Sequence, residues 1–283
     1  MSTLVVGPGR AGRALALLHA QSGDETFLVG RSEGEWQAWA TAHGIRPFVG
    51  FETGSAQTMR VAFAVSDSAL EEVAMEAVSH FDGIAEKTVI HVSGIHGLSP
   101  LSSFSTLGAA TGVLHPLLPF PENPSEAGLA GSLATLLASD QDKEKLLSWA
   151  DTLGFEVIPF ESEGNRAAYH LGLSLAANHV VASVGWAEKL LTPSLGSRAR
   201  EAVLGLARVA LDSVGNVGAA EALTGPVVRG EEETIAAHLA ALDSSERGRY
   251  AGLLENVIAL AESSGRLSAE RAHRLRHIIR VSP

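Results

Sequence analysis

Gly7, Gly9 and Gly12 stand in Leu4-Val-Val-Gly-Pro-Gly-Arg-Ala-Gly-Arg-Ala-Leu15, a G-x-G-x-x-G between an apolar run and a helical pattern. Each glycine has its own task in a turn that holds phosphate. Gly7 turns the chain sharply, Gly9 lets backbone approach a pyrophosphate, and Gly12 lets the helix pack close to the strand. The helix N-terminus that follows Pro8, with Arg10 and Ala11 in the turn, offers unpaired N–H groups and a partial positive charge. The bland alternative is a glycine-rich turn without a ligand. The strand–turn–helix setting favours a dinucleotide.

The second apolar run bears on which dinucleotide. A fold that takes NAD places Asp or Glu roughly 20 residues on, where it bonds the ribose 2′-OH. Here the run ends Phe27-Leu28-Val29-Gly30-Arg31-Ser32, with no acid. Arg31 offers a planar bidentate donor to a 2′-phosphate and Ser32 adds a hydroxyl. The expectation is therefore NADP in preference to NAD. The other reading of Arg31 is an exposed loop cation.

Three further strand ends carry polar groups. Val65-Ser66-Asp67-Ser68 precedes a helix, so Asp67 or Ser68 reads as an N-cap, as part of a loop bracketing the adenosine ribose and pyrophosphate, or as both. After Thr88–Val92 come Ser93 and Gly94, placed to approach the nicotinamide, while His91 inside that run reads as a packed core group. His115 opens His-Pro-Leu-Leu-Pro-Phe-Pro, a rigid extended loop, and is equally a structural or a catalytic histidine. Further on, Arg166, His170, Ser174 and Asn178 recur every four residues with Tyr169 beside them, which puts one polar stripe on an apolar helix. That stripe is either a catalytic wall or a satisfied interface seam. Arg229, in Thr224-Gly-Pro-Val-Val-Arg-Gly230, is either a substrate-binding cation, in its own subunit or from a partner's, or a surface ion-pair member.

These groups need elements to hold them. Runs at Thr3–Val6, Thr26–Val29, Val61–Val65, Thr88–Val92, Ala110–Leu114 and Glu156–Pro159 alternate with helical segments such as Gly12–Gln21, Glu33–His43, Ala69–Ser79 and Gln141–Thr152. This alternation predicts an α/β fold with a doubly wound parallel sheet, with one further short strand within 46–57. After Phe160 the pattern is helical: Glu163–Leu191, Ser197–Val214, Gly218–Leu223, Glu231–Ala241, Ser245–Ser264 and Ala269–Ile279, with a turn starting at Thr192-Pro193. The expected division is residues 1–160 as a dinucleotide-binding domain and 161–283 as an all-helical domain. Leu171–Leu191 is apolar around much of its circumference and reads as a buried helix, since Asn178, His179, Glu188 and Lys189 suit a membrane span poorly. Burying it on several sides implies a homodimer through the helical half.

The chain's 283 residues carry a net charge of −11, which disfavours nucleic acid, and no cysteine, which excludes a disulfide framework, a cysteine nucleophile and any thiolate metal site. No metal site is expected. No signal peptide is read before the first strand, so the expected location is cytoplasmic.

Across nearly its whole length the chain resembles a Rossmann-like family called domain of unknown function 2520. The motifs are Gly7–Gly12, Ala64-Val65-Ser66-Asp67-Ser68-Ala69-Leu70, His91-Val92-Ser93-Gly94, Leu114-His115-Pro116-Leu117, Tyr169-His170 with Asn178, and Thr224-Gly225-Pro226 with Arg229-Gly230. It is similar, more distantly, to pyrroline-5-carboxylate reductases, ketopantoate reductases, deazaflavin-dependent NADP reductases and the 6-phosphogluconate/β-hydroxyacid dehydrogenases. The resemblance implies a Rossmann domain, a helical dimerisation domain, and hydride transfer between NADP(H) and a small carbonyl or imine. β-Hydroxyacid dehydrogenases use a lysine four residues before an asparagine. Here Asn178 matches, but Ser174 stands where the lysine would be, leaving His170 as acid/base candidate. A non-catalytic NADP(H)-binding sensor or regulatory dimer is the competing expectation.

Overall fold

In a computed structural model, residues 1–51, 57–122, 124, 129, 131–160 and 164–281 are described. The chain forms two compact units, residues 1–180 and 181–283.

The first unit is built on eight strands: β1 (Ser2–Val6), β2 (Glu25–Gly30), β3 (Arg46–Val49), β4 (Arg60–Phe63), β5 (Thr88–His91), β6 (Ala110–Pro116), β7 (Leu133–Ala138) and β8 (Glu156–Pro159). Their order is β3-β2-β1-β4-β5-β6-β7-β8, and all neighbours are parallel except β6 and β7. The doubly wound α/β expectation holds. Alternating side chains feed two cores, one on each face. Val5, Leu28, Ala62 and Ile90 pack with α1 (Arg10–Gln21) and α5 (Lys143–Thr152). Leu4, Val6, Phe63 and Val89 pack with α3 (Leu70–Val78) and with Phe104 of α4 (Ser102–Thr106). Between β2 and β3 lies α2 (Glu35–Ala42).

β7 lies where the sequence suggests no element. Leu133-Ala-Thr-Leu-Leu-Ala138 has one β-branched residue, Thr135, among leucines and alanines, and pairing on both sides makes it a strand. Residues 52–56, in the stretch expected to hold a further short strand, lie outside the described residues; β3 supplies that strand. The extended segment after His115 begins inside β6 and stays paired through the Leu117 N–H to the Leu133 carbonyl.

The helix expected over Glu163–Leu191 is not uniform, and Glu163 lies outside the described residues. The chain forms α6 (Arg166–Ser174), one π turn (Leu175–His179) and α7 (Val180–Leu195). It runs through Thr192-Pro193, where a turn was expected, and ends at Gly196, whose φ of 57° is left-handed. It is also not buried within the chain: Val181 is 72% exposed, and Leu171, Leu175 and Leu190 are exposed as well. The physical reason is that a helix apolar around much of its circumference needs cover on several sides, which the packing within the chain does not supply. Unit one ends at residue 180, beyond the expected 160, because Arg166 and Tyr169 bond back to the sheet.

The second unit is helical, with α7, α8 (Ala199–Ala222), α9 (Pro226–Arg229), α10 (Glu232–Ala240), α11 (Ser244–Ser263) and α12 (Ala269–Val281). α8 kinks at Gly218 (φ 80°), within the break that Gly-Asn-Val-Gly suggests. Ile235, Leu254, Ile258 and Leu275 form its core. By length and composition, Arg166–Arg229 contains a helical stretch apolar enough to cross a membrane. Glu188 and Arg200 pair with each other in that stretch, and α8 adds Arg208 and Asp212.

A Cβ at residue 12 would lie 1.7 Å from the Gly7 carbonyl oxygen. Gly12→Ala is therefore expected to push α1 off the turn and cost about 1–3 kcal/mol of stability, read by urea denaturation. An unchanged midpoint contradicts this packing.

Candidate functional site

The strand order brings the loops after β1, β4, β5 and β6 to one sheet edge, the carboxyl edge of the parallel strands. Gly7 has φ 106°, and a Cβ there would lie 2.5 Å from the Ala64 carbonyl oxygen beyond β4. The Gly7 N–H donates to Val29 O (2.8 Å). Turn, β2 and β4 loop are thus locked together. A Cβ at residue 9 would meet nothing within 4 Å. The backbone there faces open space beside the N-terminus of α1.

That space is a cavity of about 600 Å³. Gly7, Pro8 and Gly9 line one side, Arg31 and Ser32 a second, and Val65 and Ser66 a third. Seven residues expected to hold a cofactor therefore meet in one place. Glu33, Trp36 and Glu76 line it as well. Arg31 is exposed and has no ion pair among the described residues. Arg10 is exposed and reaches Glu122 at 3.9 Å. Ala11 sits in the first turn of α1, and Gly12 is buried behind it. A dinucleotide fits this cradle: glycine backbone for a pyrophosphate, a guanidinium and a hydroxyl at the far end for a further phosphate.

Farther along the edge lies a histidine cluster. Asp67 offers its carbonyl to His96 Nε2 (3.1 Å), joining the β4 and β5 loops. Ser93 is buried, and its hydroxyl accepts the His96 N–H (3.2 Å). His91 accepts the Ser93 N–H at Nδ1 (3.1 Å) and donates from Nε2 to Gly97 O (2.8 Å), which fixes its neutral tautomer. Burial pushes its pKa down to about 4. His91 is a structural group, as the sequence suggests.

Gly94 separates two imidazoles. A Cβ there would lie 2.7 Å from His170 Cδ2 and 2.9 Å from His115 Nε2. His115 lies near the end of β6, and its register partner on β7 is Thr135. Residues directly opposite in an antiparallel pair share a face, and both bond the Tyr169 hydroxyl, at 3.0 Å from His115 Nδ1 and 2.8 Å from Thr135 Oγ1. Burial first, then the Arg166 and His170 charges, lower the His115 pKa to about 4. The Arg166 guanidinium is buried against Phe160 and Tyr169, 4.8 and 5.0 Å from the ring centres, and donates to Ser93 O (3.3 Å).

The sequence reading missed Thr135, since it found no strand there, and missed Trp36 and Phe160, whose apolar character reads as core. Asn178 sits on the π turn, exposed, and donates to Ser174 Oγ (3.3 Å). The π turn begins between these two members of the polar stripe, and the bond keeps their side chains adjacent. Arg229 belongs to the second unit, where it forms an ion pair with Glu231.

His91 and His115 set a pH dependence. Their folded pKa values lie below the ordinary 6.5, so between pH 6.5 and about 4 the unfolded chain takes up protons that the folded chain refuses. Stability is full above pH 6.5 and falls as pH drops, by at most about 3 kcal/mol for fully buried His91. Urea midpoints at pH 7 and 4.5 check this, and a higher midpoint at pH 4.5 contradicts it.

No curated protein matches the sequence. Solved structures do match in fold. A candidate NADP oxidoreductase from Bacteroides fragilis superposes with a TM-score of 0.77 at 21% identity, covering 92% of this chain and 98% of that one. The pyrroline carboxylate reductase of Plasmodium falciparum, solved with NADP bound, gives 0.62 at 13% identity and covers 98% of each chain. A reductive aminase from Aspergillus terreus, in complex with NADPH and ethyl-5-oxohexanoate, gives 0.60 at 15% identity, over 99% of this chain and 92% of its own. These likenesses establish a Rossmann-like fold. Residues 133–257 match the model of the family described as Domain of unknown function (DUF2520), and over that segment the resemblance carried by the sequence motifs is borne out.

Proposed function

We propose that the chain is an NADP(H)-dependent oxidoreductase acting on a small carbonyl or imine. The observation that carries this is the cavity joining the glycine turn to Arg31 and Ser32. The pyrophosphate rests on Gly7, Pro8, Gly9 and the N–H groups of Arg10, Ala11 and Gly12, where the helix dipole favours negative charge. Arg31 and Ser32 take the 2′-phosphate, which places NADP ahead of NAD. Val65, Ser66 and Asp67 bracket the ribose side, and Ser93 and Gly94 the nicotinamide side. The fold relatives solved with NADP and NADPH support the same cofactor class.

When bound, the nicotinamide supplies or accepts the hydride. The chain's own groups handle the proton. His115 stays neutral at pH 7 and so serves as a hydrogen-bonding, polarising group, oriented by Tyr169 and Thr135. His170, across Gly94, is the acid/base, and Asn178, bonded to Ser174, is the orienting group. Tyr169 is the substrate-side group on α6. Titration with NADPH and NADH, followed by NADPH oxidation with aldehydes, ketones, imines and 2-oxoacids, tests the reading. Arg31→Ala is expected to weaken NADPH about tenfold or more and NADH little, as loss of a charge-assisted phosphate contact does. Equal weakening of both sinks the NADP assignment. Tight NADPH binding without turnover on any of these replaces the enzyme by a sensor.

A second copy of the chain covers α7 and α8, which leave Val181, Leu206 and Val209 at least 66% exposed. A cytoplasmic homodimer accounts for this surface. Sedimentation in dilute buffer is expected to give twice the 29.5 kDa chain mass, and a monomer at micromolar concentration rules the dimer out.

A further inference from the structure

The segment between β2 and α2 holds the two residues assigned to the 2′-phosphate, yet four consecutive residues there, Arg31 to Gly34, are exposed. Exposed loops of this kind ordinarily lose freedom on binding and weaken it. This one is wrapped around an indole. A Cβ at Gly30 would lie 2.5 Å from Trp36 Cζ2, and a Cβ at Gly34 would lie 3.0 Å from Trp36 Cδ1. Both glycines leave room for the ring. The Trp36 indole N–H then donates to the Ser32 carbonyl (3.1 Å), in the middle of the loop. At the far end, Gln37 Oε1 accepts the Gly34 N–H (3.0 Å). At the near end, β2 pairs with β3 through Gly30.

We propose that Trp36 and Gln37 are positioning residues that hold the Arg31–Ser32 loop ready for the 2′-phosphate and so set the preference for NADP over NAD. Trp36 acts through its bond to Ser32 and its packing on Gly30, and Gln37 through Gly34. The charges along the loop give this pinning a purpose. Arg31 and Glu33 both line the cavity, with opposite charges. A loop free to turn brings the carboxylate against a phosphate as readily as the guanidinium. A pinned loop presents one arrangement. The pinned loop recognises a phosphomonoester on a ribose, and a ligand without that phosphate gains nothing from it.

This inference rests on the NADP(H) reading above, and the experiment separates the two. The full chain, Trp36→Phe and Gln37→Ala are titrated calorimetrically with NADPH and with NADH, after melting curves confirm that each is folded. Trp36→Phe removes the indole N–H and part of the ring, and Gln37→Ala is a change at the loop's other anchor. Each variant is expected to raise the Kd for NADPH about tenfold while the Kd for NADH stays within about twofold. The selectivity ratio is the readout, since a merely structural role would move both ligands together. An unchanged ratio in both variants, or equal losses for both ligands, overturns the inference while leaving the cofactor reading intact. A parent chain without preference for NADPH overturns the NADP assignment, and this inference with it.

Discussion

The contact between residue 12 and the Gly7 carbonyl governs the first unit. Helix α1 approaches the turn so closely that no side-chain carbon fits between them. That approach fixes where the helix N-terminus points, and so where its unpaired N–H groups gather. The same turn is pressed on its other side by the Ala64 carbonyl, and its N–H is tied to Val29. β1 is an interior strand, flanked by β2 and β4, so a shift in the turn moves the loops on both sides. The cavity is defined by these three backbone contacts, and the side chains lining it are attached to a rigid frame.

Two chemistries lie along one sheet edge because strand order puts them there. The phosphate end comes from the β1 and β2 loops, and the histidine end from the β5 and β6 loops. The reversal of β7 matters for the second. Pairing antiparallel to β6 sets Thr135 opposite His115, so that one tyrosine hydroxyl from α6 serves both. A parallel β7 would offer a different register and no such partner. Tyr169 is thus more than a wall residue: its hydroxyl fixes the His115 ring, and its face packs under the Arg166 guanidinium. Burial with a nearby cation then keeps His115 neutral, which removes it from proton delivery while leaving it able to polarise.

Much of this was legible in the sequence, for identifiable reasons. Gly7, Gly9 and Gly12 announce themselves because the constraint they obey is steric and local. Six of the eight strands are visible as apolar runs, since buried strands read that way, although β8 is largely exposed. β7 was not, because Leu and Ala carry no strand preference and only its neighbours recruit it. Trp36 was hidden for a similar reason. An indole near a helix start looks like core, and its hydrogen bond to a backbone carbonyl has no sequence signature. The π turn has no sequence signature in the four-residue spacing drawn through Ser174 and Asn178, whose side chains still meet across it. Long, exposed α7 was read as buried because hydrophobicity reports that a face needs cover and does not report which molecule supplies it.

Charge gives the last step. The chain carries a net −11, yet Arg31 lines the cavity beside the turn that leads into α1, and Arg166 is buried against Phe160 and Tyr169. Arg31 is the one basic side chain among the described lining residues, with Glu33 and Glu76 beside it. A small anion there is drawn to that guanidinium and to the N-terminus of α1. A net acidic chain can therefore still hold a small phosphate-bearing ligand at such a cavity. Glu33 and Glu76 at the cavity rim sharpen this further, since a bound phosphate is favoured only where Arg31 faces it. The specificity of the site thus depends on the loop that carries Arg31 being held still, and the charges alone do not secure it.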